Sequence, residues 1–208
     1  RFHAFLFLAV IILLGSRQRI NCSGTMEQQF FCETAEHYST LFRHIAEIGI
    51  VKEMSFVIDS KDFENKYRDK EDVRHAAPFK QMFDALTEVD NLPCLYRWEI
   101  TSPYNEDDIK QAVGELQKFT PRVLKKAKAT YHTLYVGKVK KSIVGRIIQH
   151  LGYHRNPASH GLQLNDWAKP MNLHFCLHII VLPDEVIPVE EIFETELAHK
   201  YVPLIGIH

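Results

Sequence analysis

Between Leu116 and Asn165 the chain contains no aspartate or glutamate, while ten lysines and arginines fall in that span. The absence of acid excludes a locally neutral surface and marks an electrostatic footprint suited to a polyanion. Over the whole chain the balance is −1, so net charge on its own names no partner. Cysteine is scarce as well. Cys22, Cys32, Cys94 and Cys176 lie far apart with no C-x-x-C pair, which excludes the usual spacing of a zinc site. Reduced thiols and a cytoplasmic location are expected. The apolar run Ala4 to Gly15, flanked by Arg1, Arg17 and Arg19, falls short of the ~20 residues a membrane-spanning helix needs. It has about the length of a signal-peptide core. Because Met26 opens a stretch of ordinary composition, residues 1–25 are expected to be an apolar leader or a non-native upstream segment. No membrane association is expected if Met26 is the true start.

What is present suits a globular chain. With 208 residues, 46% hydrophobic and 25% charged, one or two domains with a substantial core are expected. Residues 26–92 read as a mostly helical N-terminal region. Phe30, Phe31, Ala35, Tyr38, Leu41, Phe42, Ile45 and Ile48 form a helical stripe, read as core. Met54 to Ile58 suits a short strand, and the densely charged Asp59 to Arg74 a solvated helix face or linker. Phe79, Met82, Phe83, Leu86 and Val89 share one face of a further helix. Asn91-Leu92-Pro93 breaks the pattern and sets the expected domain boundary.

Residues 93–208 alternate strand and helix. Cys94 to Ile100 alternates as a half-buried strand does. Asn105 caps a helix opened by Glu106, Asp107 and Asp108 and running to about Phe119. Leu134, Tyr135 and Val136 are strand formers, with Gly137 expected to bend the chain out of the strand. Ser142 is placed to cap a helix built on Ile143, Val144, Ile147, Ile148 and Leu151, and Gly152 to end it. Leu173 to Leu182 reads as a central buried strand and Val189 to Tyr201 as a final helix. The expected fold is α/β (α+β), a small three-stranded sheet flanked by helices.

Chemistry concentrates at the third of these turns. Arg146 and His150 stand four residues apart, one turn apart on one helix face. Tyr135 and Lys138 lie at the mouth of the preceding strand, and Lys140 and Lys141 follow in the turn. A phenol, an ammonium, a guanidinium and an imidazole converging on one volume suit a phosphodiester. His150, His154 and His160 resemble a metal cluster only in composition, since Gly152 and Pro157 interrupt them and no acid or cysteine lies nearby.

The Y-V-G-K of Tyr135 to Lys138, with Arg146 and His150 after it, resembles the GIY-YIG nuclease family. Glu194-Thr195-Glu196-Leu197, with Pro203 nine residues beyond Glu194, is similar to that family's metal-binding helix. The resemblance covers Leu95 to the C-terminus. It implies a metal-dependent endonuclease that hydrolyses nucleic-acid phosphodiester bonds, DNA in preference to RNA. By the same resemblance Glu194 holds Mg²⁺ or Mn²⁺ and Arg146 binds the phosphate. Tyr96 or Tyr135 handles the attacking water, and His150 positions the phosphate or shares the proton transfer. Lys138, Lys140 and Lys141 contact the substrate backbone. Tyr96 stands where the family's first tyrosine motif stands, although that motif's glycine and isoleucine are missing, and Tyr131 competes for the role. Gly206 replaces the family's asparagine twelve residues past the glutamate. A non-cutting nucleic-acid-binding module on the same fold is the alternative.

Overall fold

The computed structural model describes residues 24–116, 132–154 and 161–206. The run Ala4 to Gly15, Tyr131, His160 and six of the basic residues, Lys118, Arg122, Lys125, Lys126, Lys128 and Arg155, lie outside them. The chain divides into two compact units, Arg1–Gly49 and Ile50–His208, so the division falls well before the expected break at Pro93. Among the described residues no helix is long and apolar enough to cross a membrane.

In the first unit, α1 spans Met26–Ile48. Thr25 caps it, its hydroxyl accepting from the Gln28 N–H, and Gly49 ends it at φ 74° and ψ −148°, a backbone conformation open to glycine. The apolar stripe read as core is open at its first turns. Phe30 and Phe31 are 69% and 71% exposed, and Ile45 alone on the helix is buried.

Among its described residues the second unit is built on four strands, not three. They are β1 (Lys52–Asp59), β2 (Cys94–Ile100), β3 (Thr133–Val139) and β4 (His174–Val181), in the order β1-β4-β2-β3 with every neighbouring pair antiparallel. The additional strand is the Met54–Ile58 segment assigned by sequence to the helical region. Met54 and Ile58 alternate with exposed Ser55 and Val57, and the whole segment pairs with β4 from Lys52↔Val181 to Asp59↔His174. β4 is the buried central strand its apolar run implies, with Phe175, Leu177, Ile179 and Val181 fully covered.

Helices α2 (Lys66–Asp69), α3 (Ala77–Thr87), α4 (Glu106–Glu115), α5 (Ile143–Leu151) and α6 (Leu164–Trp167) join the sheet, and α7 (Glu190–Tyr201) follows it. Phe79, Met82, Phe83 and Leu86 of α3 and Ile143, Ile147 and Leu151 of α5 share one core with Trp98, Phe175 and Leu177. The charged stretch Asp59 to Arg74 contributes to that core too. Phe63, Tyr67 and Val73 are buried, and Phe63 stacks on Phe79 and Phe175. Its charges conceal three anchors spaced too irregularly to read as a stripe. Asn105 caps α4 by accepting from the Asp107 N–H at 2.9 Å, as its sequence position requires. That helix ends at Glu115, and Phe119 lies outside the described residues.

The N-terminus of α5 is held differently from the sequence expectation. Ser142 sits in the left-handed region, φ 66°, and makes no side-chain cap. Asp90, more than fifty residues earlier, takes over. Its carboxylate accepts from the Val144 N–H at 2.8 Å and its carbonyl from the Ser142 N–H at 2.6 Å. Gly152 ends α5 as expected, at φ 89°.

A fragment starting at Pro93 strips β4 of its outer neighbour and removes Phe63, Phe79 and Phe83 from the core. We expect residues 50–208 to unfold in one cooperative urea transition and residues 93–208 to show none. A sharp transition in the shorter fragment would contradict the four-stranded unit.

Candidate functional site

Three elements bring four of the sequence-marked residues into one hydrogen-bonded cluster. Tyr96 comes from β2, Tyr135 from the paired strand β3, and Arg146 and His150 from successive turns of α5. The Arg146 guanidinium donates Nε–H to the Tyr96 oxygen at 2.9 Å, Nη2–H to the Tyr135 oxygen at 3.3 Å and Nη1–H to Gln149 Oε1 at 2.9 Å. His150 Nε2 lies 2.9 Å from the Tyr96 oxygen. The two phenol rings stack with centroids 6.1 Å apart, and His150 packs edge-on to Tyr96.

The backbone fixes the histidine tautomer. The Leu162 N–H donates to His150 Nδ1 at 3.2 Å, so Nδ1 carries the lone pair and the neutral ring is protonated at Nε2. Nε2–H therefore donates to Tyr96, whose oxygen receives two N–H groups. The neutral ring agrees with its surroundings. Burial, with the Arg146 charge added, holds the His150 pKa well below its ordinary 6.5. With both nitrogens engaged and no exposed surface, His150 is not placed to ligate a metal or touch a phosphate directly.

Gly137 has a role other than bending the strand. It lies inside β3 opposite Tyr96, and a Cβ there would stand 2.5 Å from the Tyr96 oxygen and 2.7 Å from a Tyr135 ring carbon. The glycine leaves room for the two phenols. At Gly161 a Cβ would run into the Gln149 carbonyl, which explains how the chain comes close enough for Leu162 to reach His150.

Burial raises the Tyr96 pKa, Tyr135 adds to the effect, Arg146 opposes it, and the Glu194 charge contributes a further rise. Glu194, partly buried on α7, thus lies within electrostatic reach of the phenol. Four residues before it, Glu190 is 3% exposed. Its carboxylate takes Lys138 Nζ at 3.3 Å and Lys140 Nζ at 3.4 Å. Two of the three lysines expected to contact substrate are therefore held by the protein's own carboxylate, and a phosphate must compete for them. Lys141 is exposed.

Gln149, Glu190, Asp90 and the Leu162 amide are functional neighbours that the sequence reading missed. Gln149 alone carried a usable signal, standing three residues after Arg146 on the same helix face. A groove of about 530 Å³ lies elsewhere, lined by Tyr67, Arg68, Arg74, Ile148, Tyr153 and His154 among others. Arg68 and Arg74 there are paired with Asp166 and Asp72. Comparison of the chain with protein-family profiles, curated proteins and solved structures returns no match.

Two outcomes follow. Gly137→Ala pushes Tyr96 and Tyr135 apart; we expect a loss of about 1–3 kcal/mol in urea unfolding, as overpacking costs, and a changed near-ultraviolet tyrosine signal. Unchanged stability and spectrum would show that the phenols do not need the gap. The second outcome concerns pH. His150 binds its proton more weakly folded than unfolded, so below about pH 6.5 the unfolded chain takes up a proton that the native state refuses. Its contribution to stability is complete above that pH and declines as pH falls towards the depressed native pKa, at up to ~1.4 kcal/mol per pH unit. Unfolding curves at pH 7.5 and 5.5 should show a smaller acid loss in His150→Gln than in the wild type.

Proposed function

We propose that the protein is a metal-dependent endonuclease acting on nucleic-acid phosphodiester bonds, with DNA as the preferred substrate. The single observation carrying this reading is the guanidinium of Arg146 seated between two phenols at 2.9 and 3.3 Å. Three of its five N–H groups are engaged in the cluster, leaving two for a phosphate oxygen. Such a preoriented cation stabilises charge that grows on a phosphorane-like centre.

Tyr135 is partly exposed and Tyr96 is 1% exposed. Tyr135 is therefore the phenol that meets the attacking water, and Tyr96 and His150 are positioning residues that set the angle of Arg146. The donor set suits a hard cation that keeps most of its water. It offers one carboxylate, Glu194, within electrostatic reach of Tyr96. Among the described residues there is no group of three or more His, Cys, Asp or Glu side chains that would suit a fully protein-ligated ion. Glu194 would hold Mg²⁺ or Mn²⁺, and the ion when bound supplies Lewis-acid polarisation of the phosphate and eases departure of the leaving oxygen.

Plasmid nicking in Mg²⁺ tests the reading. Glu194→Ala and Arg146→Lys should each lower nicking by roughly 10²–10³-fold, with DNA binding retained in Glu194→Ala. Nicking that is equal in wild type and Glu194→Ala overturns it. DNA binding without nicking in any variant, wild type included, identifies instead a module that holds nucleic acid and does not cut it, the reading that Gly206 in place of the family's asparagine favours.

A further inference from the structure

The face of the sheet turned away from the cluster carries a second set of reactive groups, contributed by three strands in register. Ser55 of β1 pairs with His178 of β4, and His178 with Arg97 of β2. Ser55 Oγ lies 3.1 Å from His178 Nδ1, and His178 Nε2 lies 3.0 Å from Glu99 Oε2. Arg97 Nη1 donates to the same Glu99 oxygen at 2.6 Å, while its guanidinium stacks over the Tyr201 ring at 4.3 Å.

The direction of these bonds follows from the acid. Partial burial works against its charge, but the hydrogen bond and charge of Arg97, with His178 adding to them, hold the Glu99 carboxyl below the usual range. An ionised carboxylate only accepts, so the neutral imidazole carries its proton at Nε2 and offers the Nδ1 lone pair to the Ser55 hydroxyl. A hydroxyl, a base and an acid that orients the base stand in the order nucleophilic catalysis requires, with the ring nitrogens exchanged relative to the serine-protease arrangement. Ser55 itself is exposed. β1 has β4 on one side and, among the described residues, no strand on the other. Successive N–H groups of a strand alternate sides, so either Ser55 or Phe56 turns an N–H outward beside the hydroxyl, a donor for a developing oxyanion. Val57, 81% exposed on the same face, and the partly buried Ile180 give that surface an apolar border.

We propose that Ser55, His178 and Glu99 form a nucleophilic site for esters of short acyl groups, separate from the phosphodiester site and independent of that reading. Ser55 Oγ attacks the carbonyl carbon as its proton passes to His178 Nδ1. The ester C–O bond breaks, the leaving alcohol takes that proton, and the acyl group remains on Ser55. Water then attacks the acyl carbon, giving its proton through His178 to restore the Ser55 hydroxyl and release the acid.

Full-length protein mixed with p-nitrophenyl acetate should release one equivalent of nitrophenol per chain in a burst, with an acetyl group on the peptide containing Ser55 by mass spectrometry. Ser55→Ala should abolish that adduct. His178→Gln should slow the burst by about 10²–10⁴-fold, the usual contribution of a general base, and Glu99→Gln should slow it less. Thermal melts of each variant identify loss of fold. Acetylation of wild type confined to lysine, tyrosine or Cys176, or a burst unchanged in folded His178→Gln, overturns the proposal.

Discussion

A guanidinium held between two phenols is the constraint on which the rest of the second unit depends. Removing a cation from water is costly unless every nitrogen finds an acceptor. Arg146 meets that demand with Tyr96, Tyr135 and Gln149, one acceptor for each nitrogen. The two phenols belong to different strands and the cation to a helix, so two of the three bonds that solvate the charge, those to Tyr96 and Tyr135, also fix α5 against β2 and β3. Gly137 lets the rings approach, and the Asp90 carboxylate fixes where α5 begins. Moving any of these displaces Arg146 from its acceptors.

The two glutamates one turn apart on α7 act on different groups, Glu190 on two lysines and Glu194 on the Tyr96 phenol. Glu190 is buried and is matched by Lys138 and Lys140, so that only removal of both lysines leaves an unpaired buried carboxylate, which is costly. That pairing ties the first turn of α7 to the end of β3, and so sets the position of Glu194 a turn later. It also tempers the inference drawn from the acid-free stretch of sequence. A run of lysines without neighbouring acids looks uncompensated along the chain, yet the fold brings a carboxylate to it from fifty residues away.

The difference between what was legible and what was not follows the range of the interaction. Arg146 and His150 were readable as partners because helical periodicity is local, and β4 because a continuous apolar run implies cover on both faces. Asn105 was readable as a cap since its acceptor and the amide it serves are two residues apart. Ser142 failed by the same logic, because its position was right and the cap came from Asp90. Met54–Ile58 was readable as a strand but not as a member of this sheet, since pairing with β4 across some 120 residues leaves no trace in local pattern. The purpose of Gly137 was misread because a glycine that makes room for a side chain looks the same in sequence as one that makes a bend.

The two tyrosines are not interchangeable, and the asymmetry comes from solvent. Tyr96 accepts two N–H groups at 2.9 Å, an environment that favours the phenolate, yet burial outweighs them and keeps it neutral. The Glu194 charge pushes in the same direction as burial, so anything that neutralises Glu194 eases ionisation of Tyr96. Tyr135 stacks on the same ring and shares the same cation at a longer 3.3 Å, but keeps part of its surface in water. On the proposed reading a phenol that takes a proton from water needs access to it, and a phenol that orients a cation needs to be held still; the exposure of Tyr135 suits the first requirement and the burial of Tyr96 the second. The acid on α7, the buried phenol and the guanidinium form one coupled set of charges with Tyr135 at its open end.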